Sequence, residues 1–151
     1  MAAEPSTPGI LNPKLRHPGL LAWLRLAQVN SRILRATGRR LRRWQLSTME
    51  FDILAHVGGS PGISQQELSA HLFVTEGNVT YQLAKLETRQ LLQRVSRGRC
   101  KHLYLSSQGQ ALFDEVVPQQ EAWHIAQFSV LDAEEQQQLL RLLRKLERNI
   151  P

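Results

Sequence analysis

The sequence predicts a mainly helical protein of one domain with a small β-hairpin, and three observations support this fold class. A chain of 151 residues has the size of one ordinary domain. Three times, Ser or Asp precedes Glu by three residues just before an apolar periodic stretch, which is the capping-box signature of a helix start. One basic stretch, RVSRGRCKHLYLS, has two β-prone segments around Gly98 and is typical of a hairpin.

The first predicted helix follows a proline-containing arm, residues 1–17, that we expect to be loose. Pro18 can occupy a first helical turn because it needs no amide donor there. The helix is expected to run on through RRLRRW to Trp44, despite Gly38. Its apolar residues recur at roughly helical spacing: Leu20, Leu21, Trp23, Leu24, Ala27, Ile33 and Leu34.

Three shorter helices are predicted next. Ser47 with Glu50 starts one that GGSPG ends, and Ser64 with Glu67 starts a second that FVT ends. The third, EGNVTYQLAKLETRQLL, begins behind Thr75 and places one side toward the core through Val79, Leu83, Leu86 and Gln90. Two short helices separated by three or four residues make a helix-turn-helix by spacing alone.

The predicted hairpin and two further helices complete the chain. QRVS and KHLYLS read as strands joined by a turn around Gly98. Ser106 caps a helix over 107–128 that we expect to bend at Pro118, which lacks a donor and crowds the preceding turn. Asp132 and Glu135 start the last helix, which carries more leucine than one face of a lone helix should expose: Leu139, Leu140, Leu142, Leu143 and Leu146.

The charge is unevenly distributed. The formal net charge is +6 and the sequence pI is about 10.2. No acid lies between Pro5 and Met49, whereas acids outnumber bases after Ser106. This asymmetry favours an anionic partner on one side, most simply nucleic acid, although an anionic membrane or plain solubility could produce the same bias.

Several classes of function find no support in the sequence. The N-terminus lacks the apolar run of a signal peptide, and GLLAWL is too short to span a bilayer, so we expect a cytoplasmic protein without membrane contact. No nucleophile elbow, phosphate-binding glycine loop or paired acids indicate an enzyme, and no cofactor is expected. The five histidines are dispersed, and Glu121 with His124 alone has ligand spacing, which does not make a metal site.

The third short helix has a face suited to a DNA groove. With its apolar residues on the core, the opposite face carries small and polar side chains, among which Asn78 and Gln82 could pair with adenine. Lys85 and Arg89 are better placed for phosphate. The predicted DNA-contacting residues are Ser64, Gln65, Thr75, Gly77, Asn78, Thr80, Tyr81, Gln82, Lys85, Arg89, Arg97, Arg99 and Lys101. A polar face that merely meets water is the alternative.

The order of these elements resembles the MarR family of bacterial transcriptional regulators over residues 18–149. The stretches that carry the resemblance are LSTMEFDILAHVGGSPGISQQELSAHLFVTEGNVTYQLAKLETRQLLQRV, LYLSSQGQALF and LDAEEQQQLLRLLRKL. It implies one domain over 18–151, with a winged helix-turn-helix lobe at 47–106 and dimerisation helices at 18–44 and 107–150. It also implies a homodimer on a pseudo-palindromic operator in double-stranded DNA, most often as a repressor, with control by a small-molecule effector or by oxidation in many members.

The hairpin departs from the pattern of that family. Members commonly carry Asp-x-Arg in the wing, whereas this chain has Arg97, Gly98 and Arg99 there. Arg99 can stand for the wing arginine that reaches a minor groove or phosphate, but the acid that would restrain it is missing. We therefore expect a shorter, looser wing that depends more on charge.

Other readings stay open. Cys100, between two cations, could be a thiol sensor or could point inward as a small apolar residue. Trp23, Phe51 and Trp123 could line an effector pocket, but aromatic residues are more often core or dimer interface. The Arg39–Trp44 run could be a solvated helix end or add to DNA attraction. A winged-helix module that binds protein without specific DNA reading is the alternative function.

Overall fold

The computed structural model describes residues 17–151, in which six helices and one hairpin follow the predicted order. The mainly α fold class with a two-stranded antiparallel sheet is thereby confirmed. Residues 1–16 of the predicted arm lie outside the described residues. The elements are α1 (Pro18–Leu41), α2 (Thr48–Gly59), α3 (Gln65–Leu72), α4 (Glu76–Thr88), β1 (Leu92–Arg97), β2 (Cys100–Leu105), α5 (Ser107–Gln127) and α6 (Ala133–Glu147).

The helix starts form as the sequence predicts. All three capping boxes are present, each with the cap side chain on the N3 amide and the N3 glutamate on the cap amide. Thr75 and Ser106 cap α4 and α5 through their hydroxyl oxygens. Pro18 is in the first turn of α1, as predicted, and His17 caps that helix by accepting a hydrogen bond from the Gly19 amide at 3.1 Å.

Two predicted helix ends differ from the structure. The α-helical part of α1 stops at Leu41, and Arg42–Trp44 form a single 3₁₀ turn closed by Gln45 in the left-handed region. The placement of Gln90 on the core side of α4 is wrong, because the helix ends at Thr88 and Gln90 is exposed with φ 57°. The hydrogen-bond ladder ends there because a left-handed residue turns the chain away from the helix axis.

The C-terminal helices are largely solvent-exposed. α5 continues from Ser107 through Pro118 to Gln127 as one helix. The bend expected at Pro118 stays a prediction. α6 has no buried residue at all, although Leu140, Leu142 and Leu146 project from it.

The hydrophobic core lies between α2, α3, α4 and the hairpin. Leu41 from the end of α1 and Val116 from α5 close it at the edges. The apolar side chains of this cluster are Leu41, Leu46, Ile53, Leu54, Val57, Ile63, Leu68, Val79, Leu83, Leu86, Leu91, Leu92, Leu103 and Val116. The lobe that carries the helix-turn-helix therefore has a hydrophobic core to which α1 and α5 each add residues at the edge.

The hairpin is paired throughout and has a third short partner. Arg97 faces Cys100 across a two-residue loop in which Gly98 has φ +63°, the pattern of a primed hairpin turn. The segment before α3 adds to β2: the Gly62 amide donates to the Leu103 carbonyl at 2.8 Å, and the Leu103 amide donates to the Ile63 carbonyl at 2.9 Å. The sequence did not indicate this segment, and it joins the wing to the start of α3.

A buried carboxylate connects α2 to α4. The Glu50 side chain is only 6% exposed and lies 3.5 Å from Lys85 Nζ and 3.6 Å from Arg89 Nη1. Burial raises the pKa of Glu50, but hydrogen bonds from the Ser47 amide and hydroxyl and the charges of Lys85 and Arg89 outweigh it, so the pKa is below 4.5. Arg89 Nη1 also donates to the Gln45 carbonyl at 2.9 Å, which fixes the end of α4 to the turn before α2.

Replacing Gly109 with alanine should destabilise the lobe. A Cβ at Gly109 would lie 1.9 Å from the Leu91 carbonyl oxygen, so the backbone of α5 or of the β1 entry would have to shift. We expect a loss of about 1–3 kcal/mol in the free energy of unfolding, measured by urea denaturation. Gly59→Ala is the control, since a Cβ there meets nothing within 4 Å. Equal stability of the two variants would contradict the packing described here.

Glu50→Gln should make the free energy of unfolding depend less on pH between pH 7 and pH 3. Because the folded-state pKa of Glu50 is lowered, its contribution is present above the unfolded value of 4.5 and is lost as the pH falls through the folded value. The variant should be about 1–2 kcal/mol less stable than wild type at pH 7. The difference should shrink at pH 3, as measured by urea denaturation at both pH values. A difference that is the same at pH 7 and pH 3 would argue against the ionised pair.

Candidate nucleic-acid interface

The predicted helix-turn-helix is formed by α3, the turn 73–75 and α4. The Val74 amide donates to the Ser69 carbonyl at 3.3 Å, which folds the turn back on the end of α3. At the other end of α3, Gln65 Nε2 donates to the Thr80 hydroxyl at 2.5 Å. The two helices are thus held at a fixed angle by contacts at both ends.

The outer face of α4 is free, as the predicted burial of Val79, Leu83 and Leu86 requires. Gly77, Asn78, Tyr81 and Lys85 are exposed, and Tyr81 has 64% of its surface in solvent. A Cβ at Gly77 would meet nothing within 4 Å. The Asn78 side chain makes no hydrogen bond to any described residue, so its amide is available to a base edge.

Three of the predicted contact residues are hydrogen-bonded to other residues of the protein or partly buried. The Thr80 hydroxyl donates to the Glu76 carbonyl and accepts from Gln65. Gln82 is half-buried, and its Oε1 is buried without a partner among residues 17–151. Gln65, Thr80 and Gln82 therefore face DNA less freely than Asn78 and Tyr81.

The start of α3 is occupied by its own capping box. The Ser64 hydroxyl accepts from the Glu67 amide at 3.1 Å, and the Ser64 amide donates to Glu67 Oε2 at 2.8 Å. Hydrogen bonds to the Glu67 carboxylate from the Ser64 amide, and then from the Ser64 side chain, lower the pKa of Glu67, so a negative charge sits at this helix end. A phosphate here would have to bind the next amides, such as that of Gln65, beside a carboxylate.

Lys85 and Arg89 have partners inside the protein. Lys85 divides its charge between Glu50 and the Tyr81 ring, whose centroid is 5.8 Å from Nζ. Arg89 donates to main-chain carbonyls of the preceding turn and pairs with Glu50. Its role in holding α4 was not visible from the sequence, because the partner residues lie about 40 positions away.

The arginine at the base of the wing is paired with an acid, whereas the basic residues at its tip are not. Arg94 donates to Glu87 through Nε at 2.8 Å, so the hairpin is attached to the end of α4. Arg97, Arg99 and Lys101 are exposed and form no ion pair with any residue of 17–151. The tip therefore presents three unshared positive charges on the same lobe as the outer face of α4.

Cys100 is exposed as a free thiol. The alternative in which it points inward as a small apolar residue is therefore wrong, because Leu103, not Cys100, is the fully buried residue of β2. Across the described part of the chain, no three His, Cys, Asp or Glu side chains come together as possible metal ligands.

The three aromatic residues predicted for an effector pocket have different surroundings, and their place in such a pocket stays a prediction. Trp23 is 62% exposed, Phe51 packs against the core, and the Arg40 guanidinium covers Trp123 at 5.2 Å from the ring centroid. A cavity of about 560 Å³ lies against α1 and the end of α5. Its lining residues are Arg32, Ile33, Arg35, Ala36, Arg39 and Gln127.

None of the helices in 17–151 is both long and apolar enough to cross a bilayer. The basic residues of α1 account for this in the longest helix, since Arg25, Arg32 and Arg35 interrupt its apolar positions.

Comparison with known proteins agrees with the geometry. Residues 44–99 match the family model described as MarR family. An uncharacterized HTH-type transcriptional regulator from Bacillus cereus is 30% identical over 132 residues, covering 87% of this chain and 90% of that protein. A homologue with the same description from Bacillus anthracis matches to the same extent.

Solved structures show the same fold. A MarR protein from Peptoclostridium difficile superposes with a TM-score of 0.80 at 18% identity, covering 95% of this chain and 94% of that one. The DNA complex of FabT from Streptococcus pneumoniae gives 0.75 at 23% identity, covering 86% and 95%. With the sequence match to HTH-type regulators along nine-tenths of their length, the chain belongs to the MarR family of transcriptional regulators.

Proposed function

We propose that this protein binds double-stranded DNA as a homodimer and represses transcription from a pseudo-palindromic operator. One observation carries the proposal: the outer face of α4 is exposed, with Asn78 free of any hydrogen bond to the described residues, beside a wing tip with three unshared cations, while the inner face of α4 packs on the core. A helix whose inner face is packed on the core and whose outer face is exposed suits insertion into a major groove.

The side chains divide into base-reading and backbone-binding groups. Asn78 and Tyr81 are proposed to contact base edges, and Gly77 allows close approach. Thr75, Gln65 and Lys85 are proposed to contact the phosphates on either side of the groove. Arg97, Arg99 and Lys101 are proposed to follow the backbone or the adjacent minor groove.

The exposed apolar side chains support a second copy of this chain as the partner. α6 presents Leu142 at 54% and Leu146 at 55% exposure, and α1 presents Val29 at 51%. Leaving such residues in water is unfavourable, and a symmetric pair of these helices would bury them. In a dimer, two α4 helices would read half-sites about one helical turn apart, roughly 10 bp between centres.

Release by a small-molecule effector is part of the proposal. Three arginines line the cavity at α1, so the chemistry favours an anionic ligand such as a carboxylate. Its place near the proposed dimer helices would allow a ligand to change the spacing of the two lobes. Measuring DNA binding by fluorescence anisotropy with and without small carboxylic acids tests this release, and an effective ligand should lower the affinity for DNA.

Asn78→Ala and Arg99→Ala should separate base reading from backbone binding. On an operator selected from random DNA, Asn78→Ala should relax preference at one base position by about 1–3 kcal/mol. Arg99→Ala should weaken binding to all sequences and lower the slope of log K against log salt by about 1. Fluorescence anisotropy at several salt concentrations measures both.

The double variant Glu87→Gln, Arg94→Gln is the matched control for the wing, because it removes a pair of opposite charges together and should leave the salt slope unchanged. An unchanged salt slope in Arg99→Ala would contradict the proposed wing contact. Equal affinity of the wild type for its selected sequence and for random DNA at physiological salt would contradict the function as a whole.

Leu146→Glu should shift the protein toward monomers. A carboxylate in a buried apolar interface costs several kcal/mol, so sedimentation velocity should show a clear loss of dimer. Gln137→Glu, an exposed position on the same helix, is the control and should remain dimeric. A wild-type protein that sediments as a monomer at micromolar concentration would contradict the proposed assembly.

A further inference from the structure

Phe73, in the turn between α3 and α4, combines two unfavourable features. Its side chain is 94% exposed, the highest exposure among the large apolar residues described. Its backbone has φ 53° and ψ 39°, in the left-handed region. Bulky residues rarely occupy this region, where glycine or asparagine is the usual choice.

The fold needs this backbone conformation but not this side chain. The turn closes through the Phe73 amide on the Ala70 carbonyl and the Val74 amide on the Ser69 carbonyl, both at 3.3 Å. Glycine would make the same hydrogen bonds with less strain. The phenyl ring belongs to no part of the core cluster, so neither packing nor turn geometry accounts for it.

The position of Phe73 indicates what the ring could contact. It lies two residues before Thr75, which caps α4, and so stands at the end of α4 where Gly77 and Asn78 are exposed. In a helix-turn-helix this end of the second helix is the one nearest the base edges. The neighbouring Glu76 carboxylate is exposed and would repel phosphate, which favours an apolar contact over an ionic one.

We propose that Phe73 is a DNA-binding residue that packs on apolar surface of the bound duplex. Such surface is offered by thymine methyl groups in the major groove and by the deoxyribose rings along its edge. This inference rests on the proposed function, because it assigns a further contact to the same interface. It makes the strained turn part of the recognition surface instead of a simple connection.

Stability and DNA affinity should change in different directions when Phe73 is replaced. Phe73→Gly and Phe73→Asn should melt at the wild-type temperature or about 2–4 °C higher, because strain is relieved and no buried area is lost. Both should bind the selected operator about tenfold more weakly, because apolar contact area is lost in each half-site. Phe73→Tyr keeps the ring and should bind within about twofold of wild type.

Gln90→Gly is the matched control. Gln90 is another exposed residue with positive φ, at the opposite end of α4. The substitution should relieve strain in the same way and leave DNA affinity unchanged. Thermal melting and fluorescence anisotropy on the same operator give both readouts for every variant.

Deoxyuridine identifies the surface that is contacted. Replacing thymine by deoxyuridine through the operator removes the methyl groups. If the ring packs on a methyl, this replacement weakens wild type more than Phe73→Gly; if it packs on sugar, both proteins respond equally and Phe73→Gly remains weaker. Either result supports the contact.

Two failures are distinguishable. If wild type binds its selected operator and Phe73→Gly and Phe73→Asn bind it equally well, the assignment of Phe73 is wrong and the proposed function stands. If wild type selects no sequence from random DNA, the proposed function is wrong and the assignment of Phe73 falls with it.

Discussion

The orientation of α4 depends on the buried carboxylate of Glu50. The same side chain completes the cap of α2 through the Ser47 amide and attracts Lys85 and Arg89 from α4. A charge with 6% exposure would be costly without partners, so the Ser47 cap, Lys85 and Arg89 each stabilise the buried carboxylate. The angle between α2 and α4 is therefore set by electrostatics as well as by the apolar contacts beneath.

The contacts that orient α4 lie on its inner side, and its outer side stays exposed for the proposed DNA contact. Val79, Leu83 and Leu86 are fully buried, Arg89 holds the C-terminal end, and Gln65 holds Thr80 near the N-terminal end. A helix whose backbone is fixed in this way loses little conformational entropy when it binds. The position of the wing is fixed as well, because Arg94 pairs with Glu87 at the end of the same helix.

The local elements could be predicted from the sequence because their signals are local. Cap and partner are three residues apart, and apolar periodicity is read within one helix, so α2, α3, α6 and the hairpin were assigned from adjacent residues. The recognition face followed from the buried positions of α4. The order of these elements carries the family resemblance, and the resemblance adds the expectation of dimerisation helices on either side of the winged helix-turn-helix.

Contacts between distant positions could not be predicted in the same way. The sequence predicts a phosphate contact for Arg89, because nothing nearby in the chain indicates Gln45 or Glu50 as its partners. The basic stretch around Gly98 contains no acid, and the partner of its Arg94 is Glu87 from another element. The strand-like segment at Gly62 was hidden by its glycine and proline content, which favours a plain turn. Such pairings depend on tertiary packing, which one sequence does not encode in any local pattern.

The exposed thiol at the wing has a practical consequence. Cys100 is the single cysteine of the chain and is solvent-accessible at the first residue of β2, next to Arg99. A maleimide dye would therefore attach at one defined place without any engineered mutation. Its emission would report on the surroundings of the wing in real time, so the wild-type polypeptide already contains the attachment point for its own optical sensor.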